Sequence, residues 1–300
     1  MAGFLAVACV RREYPVGDAI LLCHSRILVL TIFTIPKPFT GHIGVIQKNA
    51  IKSWTFLEPK PEIILFGNEE GVANASREFN TKHVPAIKCN DYGTPYLDFV
   101  FDQAKKNASQ KILCYINTDT ILANNFIENL GKIYFKDFLV VGQRYSADVN
   151  IELDFSKNGW ERKIASNVTK NGEMAGHHFV EYFIFPRDSR LIKIPPFVVG
   201  RPGWDNWLIY RSLELGIPVI NATKDIMAIH QDHGYSHVKN RRDNLWNGPE
   251  GDRNYELAGG KKAYISQANH VMIHGLILPS KIYRFLVRVY YFIFKGKIIK

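Results

Sequence analysis

The stretch Lys111-Ile-Leu-Cys-Tyr-Ile-Asn-Thr-Asp-Thr120 decides the fold of this 300-residue chain. The residues from Ile112 to Ile116 are all apolar or aromatic, which is typical of a strand buried on both faces of a parallel sheet. Polar residues follow at once, and the two-residue period of a strand places Asn117 and Asp119 on the same side. The stretch therefore predicts a buried strand with oxygen-bearing side chains at its carboxyl end.

Segments on both sides of this stretch alternate between strand and helix patterns. Strands are predicted at 26–34, 62–66, 84–88, 111–116 and 138–143, and helices at 43–54, 74–79, 96–106 and 124–130. A polar segment, 150–176, predicts a long loop or hairpin over the site. A strand at 179–185, a helix from 203–205 to Gly216 and a strand ending at Ile229 follow it. This alternation predicts an α/β domain with a mainly parallel sheet, whose ligand lies beyond the carboxyl ends of the strands.

Asn117-Thr118-Asp119 has the chemistry of a site for a hard divalent cation. Mg²⁺ and Mn²⁺ favour oxygen ligands and can bridge the two phosphates of a departing diphosphate. An Asx-turn, or an N-cap for the helix that follows, explains the same residues. The triplet alone leaves both interpretations open.

The chain has an N-terminal parallel-sheet half, then an acidic triplet at a strand end, and later an acidic helix start at 203–205. This order resembles the GT-A fold of nucleotide-sugar-dependent glycosyltransferases and is similar to glycosyltransferase family 2. The likeness covers roughly Ile27 to Tyr235, and the triplet resembles the D-x-D motif with Asn117 in place of the first acid. The resemblance implies a GT-A-like (Rossmann-like) mixed, mainly parallel sheet flanked by helices. It also implies a nucleoside-diphosphate sugar as the donor and Mn²⁺ or Mg²⁺ held by Asp119, with Asn117 as a neutral helper.

By the same resemblance, residues that follow the first two strands lie near the nucleoside of the donor. These residues are Thr34, Pro36, Asn68 and Glu69. Ordinary loop polarity explains each of them equally well.

The segment Gly200-Arg-Pro-Gly-Trp-Asp-Asn-Trp-Leu208 places two indoles and a carboxylate at the start of a helix. The resemblance implies that Asp205 is the base of an inverting enzyme and removes the proton of the acceptor hydroxyl. An indole such as Trp204 would stack on a sugar face. Two alternatives stay open: Asp205 caps its own helix, or the indole packs in the core, because Trp204, Leu208 and Leu215 share a helical stripe.

Three histidines stand in Ile229-His-Gln-Asp-His-Gly-Tyr-Ser-His237, directly after an apolar run. Imidazole is a common ligand of transition metals. Some GT-A enzymes use a C-terminal histidine as a further metal ligand, and His230 fits that role best, whereas His233 and His237 are predicted to form loop hydrogen bonds. A zinc hydrolase is the competing interpretation, but the chain has no HExxH motif and the spacing matches no standard zinc site.

Two further positions carry candidate residues. Glu181-Tyr182 resembles the GT-A segment that contacts the donor or acceptor sugar. Arg144 would pair with a phosphate or with a surface carboxylate.

Composition excludes some classes of protein. Six of the 38 Lys and Arg residues lie in 281–300, which holds no acid, so the other 280 residues carry 32 basic residues against 28 acidic ones. Because the excess of positive charge lies mainly in this tail, we expect no nucleic-acid partner. The four cysteines form no CxxC pair and indicate neither a zinc site nor a disulfide framework, and Cys89 and Cys114 are predicted to be buried thiols.

The chain is predicted to have three parts: an N-terminal extension, 1–26, a GT-A-like catalytic domain, 27–265, and a basic amphipathic tail, 266–300. On a helical projection of 281–295, basic residues fall on one narrow side and apolar residues cover the other. Such a C-terminal amphipathic helix would lie on an anionic membrane surface or dock on the domain. Neither 1–10 nor 19–35 predicts a spanning helix, so the predicted location is cytoplasmic or peripheral at a membrane surface.

These observations predict an inverting, metal-dependent glycosyltransferase of the hexosyltransferase type. Its acceptor would be a glycan, a lipid-linked molecule or a protein, with the polar 150–176 segment nearby. The alternative is a catalytically inactive nucleotide- or glycan-binding module of the same fold, which the missing first acid of the triplet favours.

Overall fold

The computed structural model describes residues 29–123, 125–149, 151–155, 157, 159–233 and 248–295. The described strands are β1 (Leu30–Thr34), β2 (Glu62–Phe66), β3 (Lys82–Val84), β4 (Ile112–Ile116), β5 (Thr120–Leu122), β6 (Leu139–Gly142), β7 (Arg144–Ala147), β8 (Glu173–Met174), β9 (Tyr182–Pro186), β10 (Val219–Asn221), β11 (Ala228–Gln231), β12 (His270–Ile273) and β13 (Leu276–Pro279). The described helices are α1 (Gly41–Thr55), α2 (Val72–Glu78), α3 (Leu97–Asn107), α4 (Asn125–Leu130), α5 (Trp160–Asn171), α6 (Trp204–Glu214), α7 (Pro249–Ala258) and α8 (Ser280–Lys295).

Nine of the described strands form one mixed sheet in the order β13-β12-β10-β6-β9-β4-β1-β2-β3. Parallel pairs join β1 to β2 and β4, β2 to β3, β6 to β10, and β10 to β12. β9 is antiparallel to β4 and β6, and β13 is antiparallel to β12. The prediction of a mixed, mainly parallel sheet flanked by helices is confirmed, and the carboxyl ends of β1, β2 and β4 meet at one edge.

Apolar layers on the two faces of the sheet hold the helices. On one face, Phe33 and Tyr115 belong to a cluster with α3 and α6; on the other, Ile32 and Ile116 belong to a cluster with α1 and α4. Every residue of β1 is buried. Alternate residues of β1 therefore pack in two cores, which is why the strand carries apolar residues on both faces.

β9 packs closely against β6 because Gly142 has no side chain. Gly142 pairs with Tyr182, and a Cβ at position 142 would lie 2.0 Å from the Tyr182 hydroxyl oxygen. Since β9 is antiparallel, the residue before it, Glu181, lies at the edge where β4 and β6 end. Its backbone N–H donates to the Gly142 carbonyl at 3.0 Å.

A second sheet, in the order β5-β11-β7-β8, extends from this edge. β5 starts directly after the 117–119 triplet, and β7 starts two residues after β6. β11 pairs with both strands, so that His230 lies opposite Thr120 on β5 and Ser146 on β7. This pairing brings a histidine from a distant part of the chain next to the triplet.

The prediction of a loop or hairpin at 150–176 is wrong where α5 lies. Trp160, Ile164 and Val168 recur every fourth residue and pack in a small apolar cluster with Ile121 and Ile229. Only one residue per turn is apolar and the residues between are mostly Lys, Asn and Ser, because the rest of the helix faces solvent. α5 lies against β7 and so supports the second sheet.

Three smaller differences concern β3, Cys89 and the C-terminal part of the chain. β3 is centred before the predicted strand at 84–88, and Cys89 is exposed because it lies in the loop after β3, whereas Cys114 is buried as expected. Part of the predicted tail, 266–300, contributes β12 and β13 to the large sheet before α8 begins. Among the described helices, none combines the length and apolar character needed to span a bilayer. The predicted extension, 1–26, and His237 lie outside the described residues.

Candidate active site

A cavity of about 570 Å³ opens at the edge where β1, β2 and β4 end. Pro36 and Lys37 after β1, Glu69 after β2, and Asn117 and Asp119 after β4 all line it. His230, His233, Arg144 and Arg201 contribute side chains from outside these three strands. The polar residues that follow successive strands thus share one cavity, as the parallel sheet requires.

Backbone and side-chain contacts fix the triplet in place. Thr118 Oγ1 lies 2.8 Å from Thr34 Oγ1, which ties the end of β4 to the end of β1. The Gln231 N–H donates to the Asp119 carbonyl at 3.0 Å, and Trp54 Nε1 donates to the Thr120 carbonyl at 2.9 Å. Main-chain groups of the triplet region are therefore anchored, and the Asp119 carboxylate is left to interact with the histidines.

Asp119, His230 and His233 form a cluster that could hold a metal ion, with one ligand atom from each residue within 4.8 Å of the others. Asp119 Oδ1 lies 3.3 Å from His230 Nδ1, and Asp119 Oδ2 lies 3.1 Å from His233 Nε2. Lys37 Nζ lies 3.4 Å from the same His233 nitrogen. His230 Nδ1 is buried and forms no hydrogen bond with any described residue.

Opposite charges dominate the electrostatics of this cluster. Burial alone would raise the pKa of Asp119, but His230, His233 and Lys37 hold that pKa well below its ordinary value. Burial alone would lower the pKa of His230, but Asp119 and Glu181 raise it to about 10. An ionised carboxylate beside two imidazole rings, which bind a metal ion in their neutral form, is a donor set that fits Mn²⁺.

Glu181 is the second buried acid of the site, and it faces His230. Its Oε1 accepts a hydrogen bond from Thr120 Oγ1 at 2.6 Å and one from Asn117 Nδ2 at 3.3 Å, and it lies 3.5 Å from His230 Nδ1. Its Oε2 accepts from Arg144 at 3.2 Å. Arg144 therefore pairs with a buried carboxylate, and the carboxylate occupies the side of the triplet where Asn117 replaces an acid.

Asp205 lies in the first turn of α6, whose N-cap is Gly203. Its Oδ1 accepts from the Asn206 N–H at 2.8 Å. Burial raises the pKa of Asp205 to about 6, although hydrogen bonds from backbone N–H groups oppose the shift. Asp205 lines a smaller open pocket of about 190 Å³, here called the passage, which shares Asn117, Arg144 and Arg201 with the large cavity.

The other predicted site residues have different positions. Glu69 and Pro36 line the large cavity, whereas Asn68 is exposed and does not line it; Thr34 is buried behind the triplet. Tyr182 is fully buried in the sheet core. Trp204 is 8% exposed and packs against Tyr115 and Phe183, with ring centroids 5.5 and 5.0 Å away, although one edge lines the passage.

Sequence reasoning missed His233 as a member of the metal cluster. His233 follows β11 by two residues, so its position depends on how the chain leaves that strand. The His-x-x-His spacing of His230 and His233 was the available signal, but it matched no standard metal motif.

The comparisons with known proteins concern the fold. No protein-family model matches the chain, and no curated protein sequence matches it. Its structure is similar to that of GalNAc-T7 with UDP, GalNAc and Mn²⁺, with a TM-score of 0.50 and 12% identity over 79% of this chain and 49% of that one. Glucosyl-3-phosphoglycerate synthase from Mycobacterium tuberculosis gives a TM-score of 0.45 and 14% identity over 77% and 81% of the two chains.

The chain therefore has the GT-A fold, as the sequence predicted. It spans about half the length of the GalNAc-T7 chain.

Proposed function

We propose that this protein is a metal-dependent glycosyltransferase that moves a sugar from a nucleoside-diphosphate sugar to an acceptor hydroxyl, with inversion. The observation that carries the proposal is the meeting of Asp119, His230 and His233 in a cavity at the carboxyl edge of a GT-A sheet. The GalNAc-T7 structure, which shares the fold, contains UDP and Mn²⁺. We assign the same ligand classes, a nucleotide sugar and Mn²⁺ or Mg²⁺, to the large cavity.

Asp119, His230 and His233 would hold the cation, which would neutralise the charge that develops on the departing diphosphate. Lys37 lines the same cavity and adds positive charge, whereas Arg144 and Arg201, which also line it, are paired with Glu181 and Glu250. Glu181 balances Arg144 and faces His230. Asn117 contributes a neutral amide, and Pro36 and Glu69 flank the end of the cavity assigned to the nucleoside.

Asp205 is the proposed base. Its pKa of about 6 makes the carboxylate a stronger base than an ordinary aspartate, yet it is still ionised near neutral pH. It lies at the passage beside the large cavity, where an acceptor hydroxyl can approach the donor sugar. The acceptor is a glycan, a lipid-linked molecule or a protein.

The test is hydrolysis or transfer with a panel of nucleotide sugars in Mn²⁺. We expect slow hydrolysis of one donor by the wild-type protein, loss of turnover with chelator and with Asp119→Ala, and loss of transfer with Asp205→Asn. Asp188→Ala removes an exposed carboxylate at the opposite end of β9 and is the matched control. If the donor affinity is the same with and without chelator and no donor is turned over, the result would instead support an inactive nucleotide- or glycan-binding module.

We also propose peripheral contact with an anionic membrane through 281–295. Tyr283 and Val287 of α8 are half-buried, whereas large apolar side chains on the rest of the helix are exposed: Ile282, Phe285, Leu286, Val289, Phe292 and Ile293. Lys281, Arg284 and Arg288 are exposed as well. An exposed apolar face flanked by basic residues fits the headgroup region of an anionic bilayer.

A further inference from the structure

A second cavity, of about 380 Å³, opens beside Asp205. Its walls come from the loop before β9, the start of α6, α7 and the Gly-Gly-Lys-Lys loop at 259–262. Its described lining residues are all different from those of the large cavity. The passage lies between the two, since it shares Asn117 and Arg144 with the large cavity and Phe179 and Asp205 with the second.

We propose that the second cavity binds the acceptor and that the acceptor presents a pyranose ring with neighbouring hydroxyl groups. This inference rests on the proposed function, because it takes Asp205 as the group that receives the acceptor proton. The sequence predicted acceptor contacts in 150–176, but the described residues of that segment line neither the passage nor the second cavity. We assign these contacts instead to α7 and the loop after it.

Aromatic rings form two sides of the cavity. Tyr255 on α7 is 46% exposed and Phe179 is 37% exposed, and both line the cavity. Tyr264 also lines it and packs edge-on against His178, with ring centroids 4.7 Å apart. Exposed rings facing a cavity offer the flat apolar surface on which the C–H face of a sugar packs.

Gly203 keeps the space in front of Tyr255 open. Its φ of +103° lies in the region that favours glycine, and a Cβ there would lie 3.5 Å from Tyr255 Cδ1. A larger side chain at position 203 would therefore extend toward the ring. The backbone geometry before α6 and the accessibility of the ring depend on the same residue.

Polar groups beside the rings match a pair of hydroxyls. The Asp205 carboxylate is an acceptor, and the adjacent Asn206 Nδ2 is a buried donor with no hydrogen-bond partner among the described residues. A buried donor without a partner costs free energy unless a ligand supplies an acceptor. We assign one sugar hydroxyl to Asp205, to which it donates, and the neighbouring hydroxyl to Asn206, whose side chain also lines the cavity.

One of the two lysines of the cavity's described wall is already paired with a carboxylate. Lys261 Nζ lies 3.8 Å from Glu214 and 5.9 Å from the Tyr210 ring centroid, so a carboxylate already balances its charge. Lys262 is the other lysine of the described wall. Phosphate is ordinarily bound by converging charged donors such as paired arginines, and the described wall provides no such pair.

Saturation-transfer NMR on the full chain in Mg²⁺ tests this proposal. The probes are methyl β-glucopyranoside, methyl β-galactopyranoside, N-acetylglucosamine and glycerol 3-phosphate. We expect transfer to at least one pyranose, binding roughly tenfold weaker in Tyr255→Ala, and retained binding in Tyr255→Phe, which keeps the ring. Asn206→Ala should also weaken binding, whereas Tyr134→Ala, which removes an exposed tyrosine that lines neither cavity, should not.

The outcomes separate this inference from the proposed function. Transfer to none of the pyranoses, transfer to glycerol 3-phosphate alone, or unchanged pyranose binding in Tyr255→Ala would overturn the inference. Donor hydrolysis by the wild-type protein is measured separately. Pyranose binding at Tyr255 without hydrolysis of any donor would leave the cavity assignment standing and remove the enzymatic function.

Discussion

Arg144 Nη1 donates a hydrogen bond to Glu181 Oε2 at 3.2 Å, and this ion pair joins the second sheet to the large one. Arg144 starts β7, and Glu181 comes directly before β9. The Glu181 side chain is 1% exposed and the Arg144 side chain 16%, so the carboxylate of the pair is shielded from solvent while the arginine borders the cavity. The two sheets therefore meet at a charged contact that also borders the metal cluster.

Glu181→Gln should destabilise the fold, because Arg144 and His230 both lose the buried carboxylate that they face. Breaking a buried ion pair by removing one partner costs about 3–5 kcal/mol, and we expect a clear fall in Tm. Asp137→Asn breaks the more exposed pair with Arg190 and should cost under ~1 kcal/mol. Denaturant unfolding of both variants checks the difference, and equal losses would contradict the role of Glu181.

His233→Ala should weaken Mn²⁺ binding, because the variant removes one of the three clustered ligand atoms. The loss should exceed the roughly 10–100-fold effect typical of outer-shell changes. Electron paramagnetic resonance of free Mn²⁺ measures the affinity without turnover. His270→Ala, in β12, is the matched control, and an equal affinity of both variants for Mn²⁺ would remove His233 from the site.

The pH dependence of transfer should follow Asp205. Its pKa of about 6 means that the carboxylate accepts a proton only above that pH, so the rate should fall about tenfold per unit below it. A rate that stays constant between pH 5 and about 7 would argue against this base. Initial rates at saturating donor provide the profile.

Asp205→Asn should make the protein more stable at pH 7. The folded state raises the pKa of Asp205, so it favours the neutral form, and ionisation lowers stability as pH rises from the ordinary value through about 6. The amide has no charge to bury and can keep the bond from the Asn206 N–H. Melting curves should show the gain above pH 6 and its loss near pH 4, where both side chains are neutral.

Phe285→Ser with Phe292→Ser should abolish sedimentation with vesicles of phosphatidylcholine and phosphatidylglycerol. Both rings are exposed on α8, and their removal deletes much of its apolar face. Arg284→Gln with Arg288→Gln should reduce binding by about 1 kcal/mol per residue and lower its sensitivity to salt. Tyr134→Ser is the control; unchanged sedimentation of the phenylalanine variant would exclude this surface.

The sequence predicted most of the fold because buried parallel strands have an unmistakable pattern. The runs at β1, β2 and β4 are mainly apolar and buried, and each is followed by polar residues that line or support one cavity. α5 was missed because only Trp160, Ile164 and Val168 of its residues carry the apolar stripe. The polar composition of the segment predicted a loop, because an apolar residue once per helical turn is a weak signal.

The candidate site was only partly predictable, because long-range pairing assembles it. His230 reaches Asp119 through the pairing of β11 with β5, which joins residues more than a hundred positions apart. Glu181 reaches His230 because β9 runs against its neighbours. Neither the His230–Asp119 contact nor the Glu181–His230 contact follows from a local spacing. The sequence therefore indicated these residues as candidates but not which of them contact each other.

The position of β9 in the sheet has a consequence for how the chain acquires its structure during synthesis. β9 lies between β4 and β6, both of which leave the ribosome before it. Until residue 186 emerges, the centre of the large sheet has an empty slot, and β4 and β6 present unpaired edges. Such edges are sites of misassembly in nascent chains, so the arrival of one short strand joins β4 to β6 and delivers Glu181 to the site in the same event.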